Sequence, residues 1–196
     1  MFALLCLLAV GAQALPPAPA KLADRASCKC GIKRSSNRIV NGVNAGVNEF
    51  PWIAGMIQVF DGMETDSMCG GTLVADKWIV TAAHCLYKDN DFKTLLEPKE
   101  QMWVLGEHDW FDPSESKIPT KKFPVEKVIV HPKWDALATK NDVALIKLKT
   151  SADLTKYTPA CLANTGDNFV GKTAWVYGKC FFANKSVENL LSLKVV

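Results

Sequence analysis

Trp78-Ile79-Val80-Thr81-Ala82-Ala83-His84-Cys85 begins as a β-favouring apolar run, narrows through two alanines and ends in a histidine joined to a cysteine. A buried strand that delivers an imidazole to its end gives general-base chemistry what it needs: rigid support, and a ring free to meet a partner. Taken alone, the same segment also fits a satisfied histidine closing a core strand. Cys69 lies 16 residues before Cys85. A bridge closing a loop of that length contributes about 3 kcal/mol in the chain-entropy model, and it would fix the corner that carries His84.

Upstream, Asn44 to Val80 carries the signals of a β meander. Pro51 to Ile57 and Gln58-Val59-Phe60 read as a strand pair, and Asp61-Gly62 as a turn. Cys69-Gly70-Gly71-Thr72-Leu73-Val74 opens another strand, which Asp76-Lys77 turns into the histidine strand. The double glycine suits a barrel corner or a close approach of backbone. Leu15 to Arg38 differs in character: Pro16, Pro17 and Pro19 oppose regular structure, and six basic residues face Asp24 alone. Without this leader and the segment before it, 17 basic and 19 acidic residues remain. The folded part is then faintly acidic, which argues against a nucleic-acid partner. All three arginines (Arg25, Arg34, Arg38) precede residue 39. A small count explains this as well as an arginine-directed protease that finds targets only in the leader. Met1 to Ala14 has the apolar run and small-residue end of a secretory signal, and neither it nor any later run is long enough for a membrane helix. The expected product is secreted and extracellular, with six cysteines left in a compartment where disulfides persist.

Downstream, Leu86 to Thr120 is polar and charged, with one expected strand at Gln101 to Gly106. Asn141-Asp142-Val143-Ala144-Leu145-Ile146-Lys147-Leu148 then opens an apolar strand with a carboxylate. Partly desolvated there, Asp142 needs a donor that stabilises its charge, although Asn-Asp before a strand is also an ordinary turn. Lys172 to Gly178 and Leu190 to Val196 read as two further strands, joined by a loop with a glycosylation sequon at Asn184.

In this order, FPWIAGM, CGGTLV, WIVTAAHC and NDVALIKL resemble the trypsin-like serine endopeptidases of the chymotrypsin fold, the S1 family, over about Arg38 to Val196. The resemblance implies an all-β double barrel. The first barrel would be complete across residues 39–150, with a linker over 151–165 and a second barrel cut to about two strands over 166–196. It implies that His84 is the general base. Asp142, 58 residues later, would hold the histidine tautomer and stabilise the imidazolium. Arg38-Ile39 becomes the activation site of a zymogen, cut by an activating protease to free an Ile39 ammonium that pairs with a carboxylate. Asn41 stands where a glycine is more usual. Cys161 is expected to bridge to the leader through Cys28 or Cys30, so that a cleaved leader stays tethered. His108 and His131 match structural histidines. Glu107 and, at imperfect spacing, Glu115 match a calcium loop of some members, against the simpler reading of this segment as a solvated acidic loop. No cofactor is required. The implied partners are protein or peptide substrates, the activating protease and macromolecular protease inhibitors, with no nucleic acid and no membrane.

The likeness covers only the front of such a domain. The nucleophilic serine belongs about 90 residues beyond the aspartate, and 54 residues follow Asp142 here. Ser151, Ser186 and Ser192 are the serines in that stretch. None lies in Gly-Asp-Ser-Gly-Gly or in a glycine-rich turn that aims two N–H groups at an oxyanion. Gly178-Lys179-Cys180 replaces the usual Gly-Trp-Gly. The expectation is therefore a secreted endopeptidase zymogen, present as a fragment without its serine and inactive as it stands. The alternative is a non-catalytic homologue acting as an extracellular binding protein. Leu190 to Val196 is expected to finish as an apolar edge with no neighbour beyond it.

Overall fold

Short β-branched and aromatic runs divided by tight turns leave strands and a few 3-10 turns as the regular elements. The computed structural model describes residues 29–34, 43–44, 46–88, 92–108, 114, 116–172, 174–179 and 190–195. The strands are β1 (Val43–Asn44), β2 (Ile53–Phe60), β3 (Met63–Ala75), β4 (Trp78–Thr81), β5 (Gln101–Leu105), β6 (Lys121–Val130), β7 (Ala144–Leu148), β8 (Ala174–Lys179) and β9 (Leu190–Val195). Six of them close into an antiparallel barrel in the order β2-β3-β4-β7-β6-β5. This is the all-β, chymotrypsin-like architecture with one barrel present. Among the described residues no helix is long and apolar enough to cross a membrane.

Alternation sets the inner face. In β7, Ala144, Ile146 and Leu148 are buried while Leu145 and Lys147 between them are not. Met56, Leu73, Ile79, Trp103, Leu105, Phe123, Ile146 and Leu148 fill the barrel with no exposed surface. Each such side chain contributes about 1.5–3 kcal/mol by leaving water. The sequence separates Pro51–Ile57 from Gln58–Phe60, but the structure makes one strand of their residues from Ile53 on. That strand, β2, turns at Asp61-Gly62, where both residues take positive φ and Phe60 pairs with Met63. Gly71 is the close approach expected of the double glycine. A Cβ built on it would lie 2.6 Å from Ile79 Cγ2, 2.7 Å from Trp103 and 2.9 Å from the Val80 carbonyl oxygen. We expect Gly71→Val to lower stability by about 1–3 kcal/mol through overpacking. A chemical melt measures it, and an unchanged midpoint would contradict the packing.

Strand β6 is the element that Pro124 conceals in the sequence. It pairs with β5 up to Met102↔Pro124 and with β7 from Val125↔Leu148 onward, with a register shift between Val125 and Lys127. The proline thus sits where the strand changes partners, next to a bulge, which is where a sheet tolerates it. The two late strands pair as expected, β8 with β9. Beyond β9, however, the chain is not without a neighbour. β1 adds to it at Val43↔Ser192 and Asn44↔Leu191, giving a three-stranded sheet β1-β9-β8. Two residues of pairing are too short a run to show periodicity, so the sequence carried no sign of it.

Residues 29–34 are strapped to the side of the barrel. Cys30 is bonded to Cys161, and Cys28 lies outside the described residues. Gly31 N–H donates to Pro159 O at 2.8 Å and Arg34 N–H to Glu49 O at 3.0 Å, while Arg34 Nη2 donates to Lys156 O at 3.1 Å.

Candidate active site

Strand pairing brings the site together. β4 runs antiparallel to β7 from Trp78↔Lys147 to Thr81↔Ala144. Residues just past the end of β4 therefore meet residues just before β7, and these are His84 and Asp142. His84 sits in a 3-10 turn, Ala83–Leu86, whose Ala83, Cys85 and Leu86 are buried. Cys85 is bonded to Cys69 of β3, and Thr81 Oγ1 donates to Gly70 O at 2.8 Å. The corner is thus held by a covalent bond and a side-chain hydrogen bond.

Asp142 grips His84 twice. His84 N–H donates to Oδ1 at 2.9 Å, and ring Nδ1 lies 2.7 Å from Oδ2. An ionised carboxylate only accepts, so Nδ1 carries the proton and Nε2 is left with its lone pair. Burial pushes the Asp142 carboxyl up, but the hydrogen bonds from the His84 ring and from the His84 and Ala83 backbones outweigh it, and the group is held below its ordinary range. It therefore stays ionised at neutral pH. The His84 side chain is 51% exposed and that of Asp142 22%, so the ring is open to solvent while the carboxylate is largely covered. Nε2 lies 3.5 Å from Cys85 Sγ, a disulfide sulfur that has no proton to give it.

Two features that hold Asp142 were not singled out by sequence. Asn141 adopts φ 57°, and its Nδ2 donates to Lys133 O at 2.7 Å, which turns the chain into β7 at the angle that aims Asp142 at the histidine. The sequence marks it only as a turn residue. Tyr87, Phe92 and Trp134 meet edge to face, with centroids 5.8 and 6.1 Å apart, and tie the segment after His84 to the one before Asp142. Such pairs contribute about 0.5–1.5 kcal/mol each.

The other candidates lie elsewhere. His108 is buried, and His131 Nδ1 accepts from Lys133 N–H at 3.1 Å, both structural positions. Glu107 is half-buried beyond β5, and Glu115 lies outside the described residues, as do Arg38, Ile39, Asn184 and Cys180. Of the two carboxylates that match a calcium loop, Glu107 alone is among the described residues. Cys69, His84 and Cys85 bring ligand-type atoms within 4.8 Å of one another. The two sulfurs are bonded to each other, so neither is a thiolate and the cluster is not a metal site.

The family model described as Trypsin matches residues 39–184. The chain belongs to the trypsin family. Venom serine protease 34 of Apis mellifera is 37% identical over 181 residues, covering 88% of this chain and 40% of the relative. A venom serine protease of Polistes dominula is 37% identical over 139 residues, covering 69% and 45%. Serine proteinase stubble of Drosophila melanogaster is 32% identical over 163 residues, covering 81% and 20%. This trypsin-family chain thus spans less than half the length of the curated relatives it matches.

Proposed function

We propose that the chain is the histidine–aspartate portion of a secreted serine endopeptidase, made as a zymogen and acting on protein or peptide substrates. The observation that carries this reading is the double hold of Asp142 on His84. With Nδ1–H given to Oδ2, Nε2 takes the proton of a serine hydroxyl supplied from outside these 196 residues. The oxygen attacks the scissile carbonyl, and the imidazolium then protonates the leaving amine. Water, deprotonated by the same nitrogen, hydrolyses the acyl-enzyme. Asp142 stays ionised throughout and stabilises the imidazolium; it does not take the proton.

Zymogen activation is supported by the family match beginning at Ile39, directly after Arg38. The leader disulfide Cys30–Cys161 keeps a cleaved leader attached. Secretion is supported by the two disulfides, which persist in oxidising compartments. The activating protease and macromolecular protease inhibitors are the further partners of this reading.

The test uses native protein cleaved after Arg38 and treated with a fluorophosphonate probe. One labelled serine is expected, on a peptide extending past Val196, with the label abolished by His84→Ala. A native chain that ends at Val196 and takes no label would overturn the reading in favour of a non-catalytic binding homologue.

A further inference from the structure

The outer wall of the barrel at β4, β7 and β6 carries charge that the site does not use. Lys147 of β7 stands opposite Trp78 of β4 on one side and Lys127 of β6 on the other. The register shift in β6 sets Glu126 as well as Lys127 against Lys147, and both are exposed. Lys147 Nζ lies 2.7 Å from Glu126 Oε1. Lys77, in the turn before β4, donates to Lys149 O at 3.3 Å. The Glu126 carboxyl is held below its ordinary range, first by the Lys147 hydrogen bond and further by the charges of Lys147, Lys77 and Lys127.

Lys77, Lys127 and Lys147 thus act on one carboxylate, and exposed Lys149, whose carbonyl accepts from Lys77, adds a fourth lysine beside them. Counting Asp76 of the same turn against them as well still leaves two positive charges in excess. Like charges directly opposite in a sheet are destabilising, so Lys127 facing Lys147 works against the fold. The wall also lies at the start of β4 and the end of β7, the far ends of those strands from His84 and Asp142.

We propose that this lysine wall is a docking surface for a linear sulfated polysaccharide. The wall sets Lys77, Lys127, Lys147 and Lys149 against Glu126 and Asp76, whereas the sequence from residue 39 on holds 17 basic and 19 acidic residues. The positive charge is therefore segregated, and segregated charge attracts a polyanion. Every cation of the wall is an ammonium. Ammonium groups are compact point charges without the guanidinium fork that grips a planar carboxylate in two places, so they respond to charge density. Lys127 and Lys147 sit on neighbouring strands about 5 Å apart, a spacing that successive sulfates of a flexible linear chain can match. Half-buried Trp78, next in the same row, offers an apolar face for a sugar ring. The proposal is independent of the peptidase reading.

The full chain is titrated with heparin as the sulfated probe, and with hyaluronate and polyglutamate as carboxylate polyanions. Saturable heparin binding that weakens steeply with salt is expected, reduced about tenfold by Lys127→Glu with Lys149→Glu and less than about twofold by Lys133→Glu with Lys140→Glu. Lys127→Glu sets opposite charges face to face with Lys147, so its melting temperature should hold or rise, separating lost binding from lost fold. Unchanged heparin affinity in the wall variant, an equal loss in the control variant, or hyaluronate or polyglutamate binding as tightly as heparin would each overturn the proposal.

Discussion

Asp142→Asn, made in the complete and activated protein, is expected to lower kcat by about 10⁴-fold while leaving KM and melting temperature nearly unchanged. The cause can be read from the two hydrogen bonds. His84 N–H donates to Oδ1, so an amide at this position must put its oxygen there. Its NH2 group then falls at the Oδ2 position, 2.7 Å from ring Nδ1. Two donors cannot share a bond, so Nδ1 gives up its proton and Nε2 acquires one. The nitrogen that must accept the serine proton is then already protonated. The variant keeps the shape of the corner, and the Cys69–Cys85 bond still fixes it. Steady-state kinetics with a peptide ester and a thermal melt measure the two effects together. A loss under tenfold, or a loss accompanied by unfolding, would contradict the assigned role.

Trp103→Ala is expected to destabilise the barrel most among single changes. The side chain has no exposed surface, packs against Gly71, and donates from Nε1 to Gln101 Oε1 at 3.2 Å. Truncating a buried aromatic costs about 3–5 kcal/mol, and leaving buried Gln101 without its donor adds about 1–3 kcal/mol. Against a typical total of 5–15 kcal/mol, the variant should be largely unfolded in mild denaturant. Trp103→Phe should recover most of the loss. A urea midpoint within the error of the unsubstituted chain would contradict the packing described.

The strands that bear the site were legible because their apolar residues alternate or run together and their ends carry distinctive chemistry. WIVTAAHC and NDVALIKL show where a strand stops and which side chain stands there. Their antiparallel register, which makes the two ends meet, is written in neither segment and is seen only in the structure. What stayed hidden depends on single residues acting at a distance. Asn48 reads as an ordinary loop residue, yet it is buried at φ 52°. Its Nδ2 donates to Gly106 O at 2.9 Å, and its Oδ1 accepts from Lys117 N–H at 2.7 Å and Ser116 Oγ at 3.0 Å. Those partners lie 58 to 69 residues away, and no local pattern could show them. Pro124 hid β6 because a proline usually breaks a ladder, and only the change of partner strand beside it makes the position acceptable. The choice between Cys28 and Cys30 is a matter of reach across 131 residues to Cys161, which spacing alone does not determine.

The most direct measurement is the protonation of the two His84 ring nitrogens, read from long-range proton–nitrogen NMR correlations in the chain labelled with nitrogen-15. With Asp142 ionised against Nδ1 at 2.7 Å, the neutral ring should carry its proton on Nδ1 and present a bare Nε2, and Asp142→Asn should reverse the two. Protonation on Nε2 in the unsubstituted chain, or a tautomer that does not respond to Asp142→Asn, would contradict the claim that Asp142 prepares His84 to act as a base.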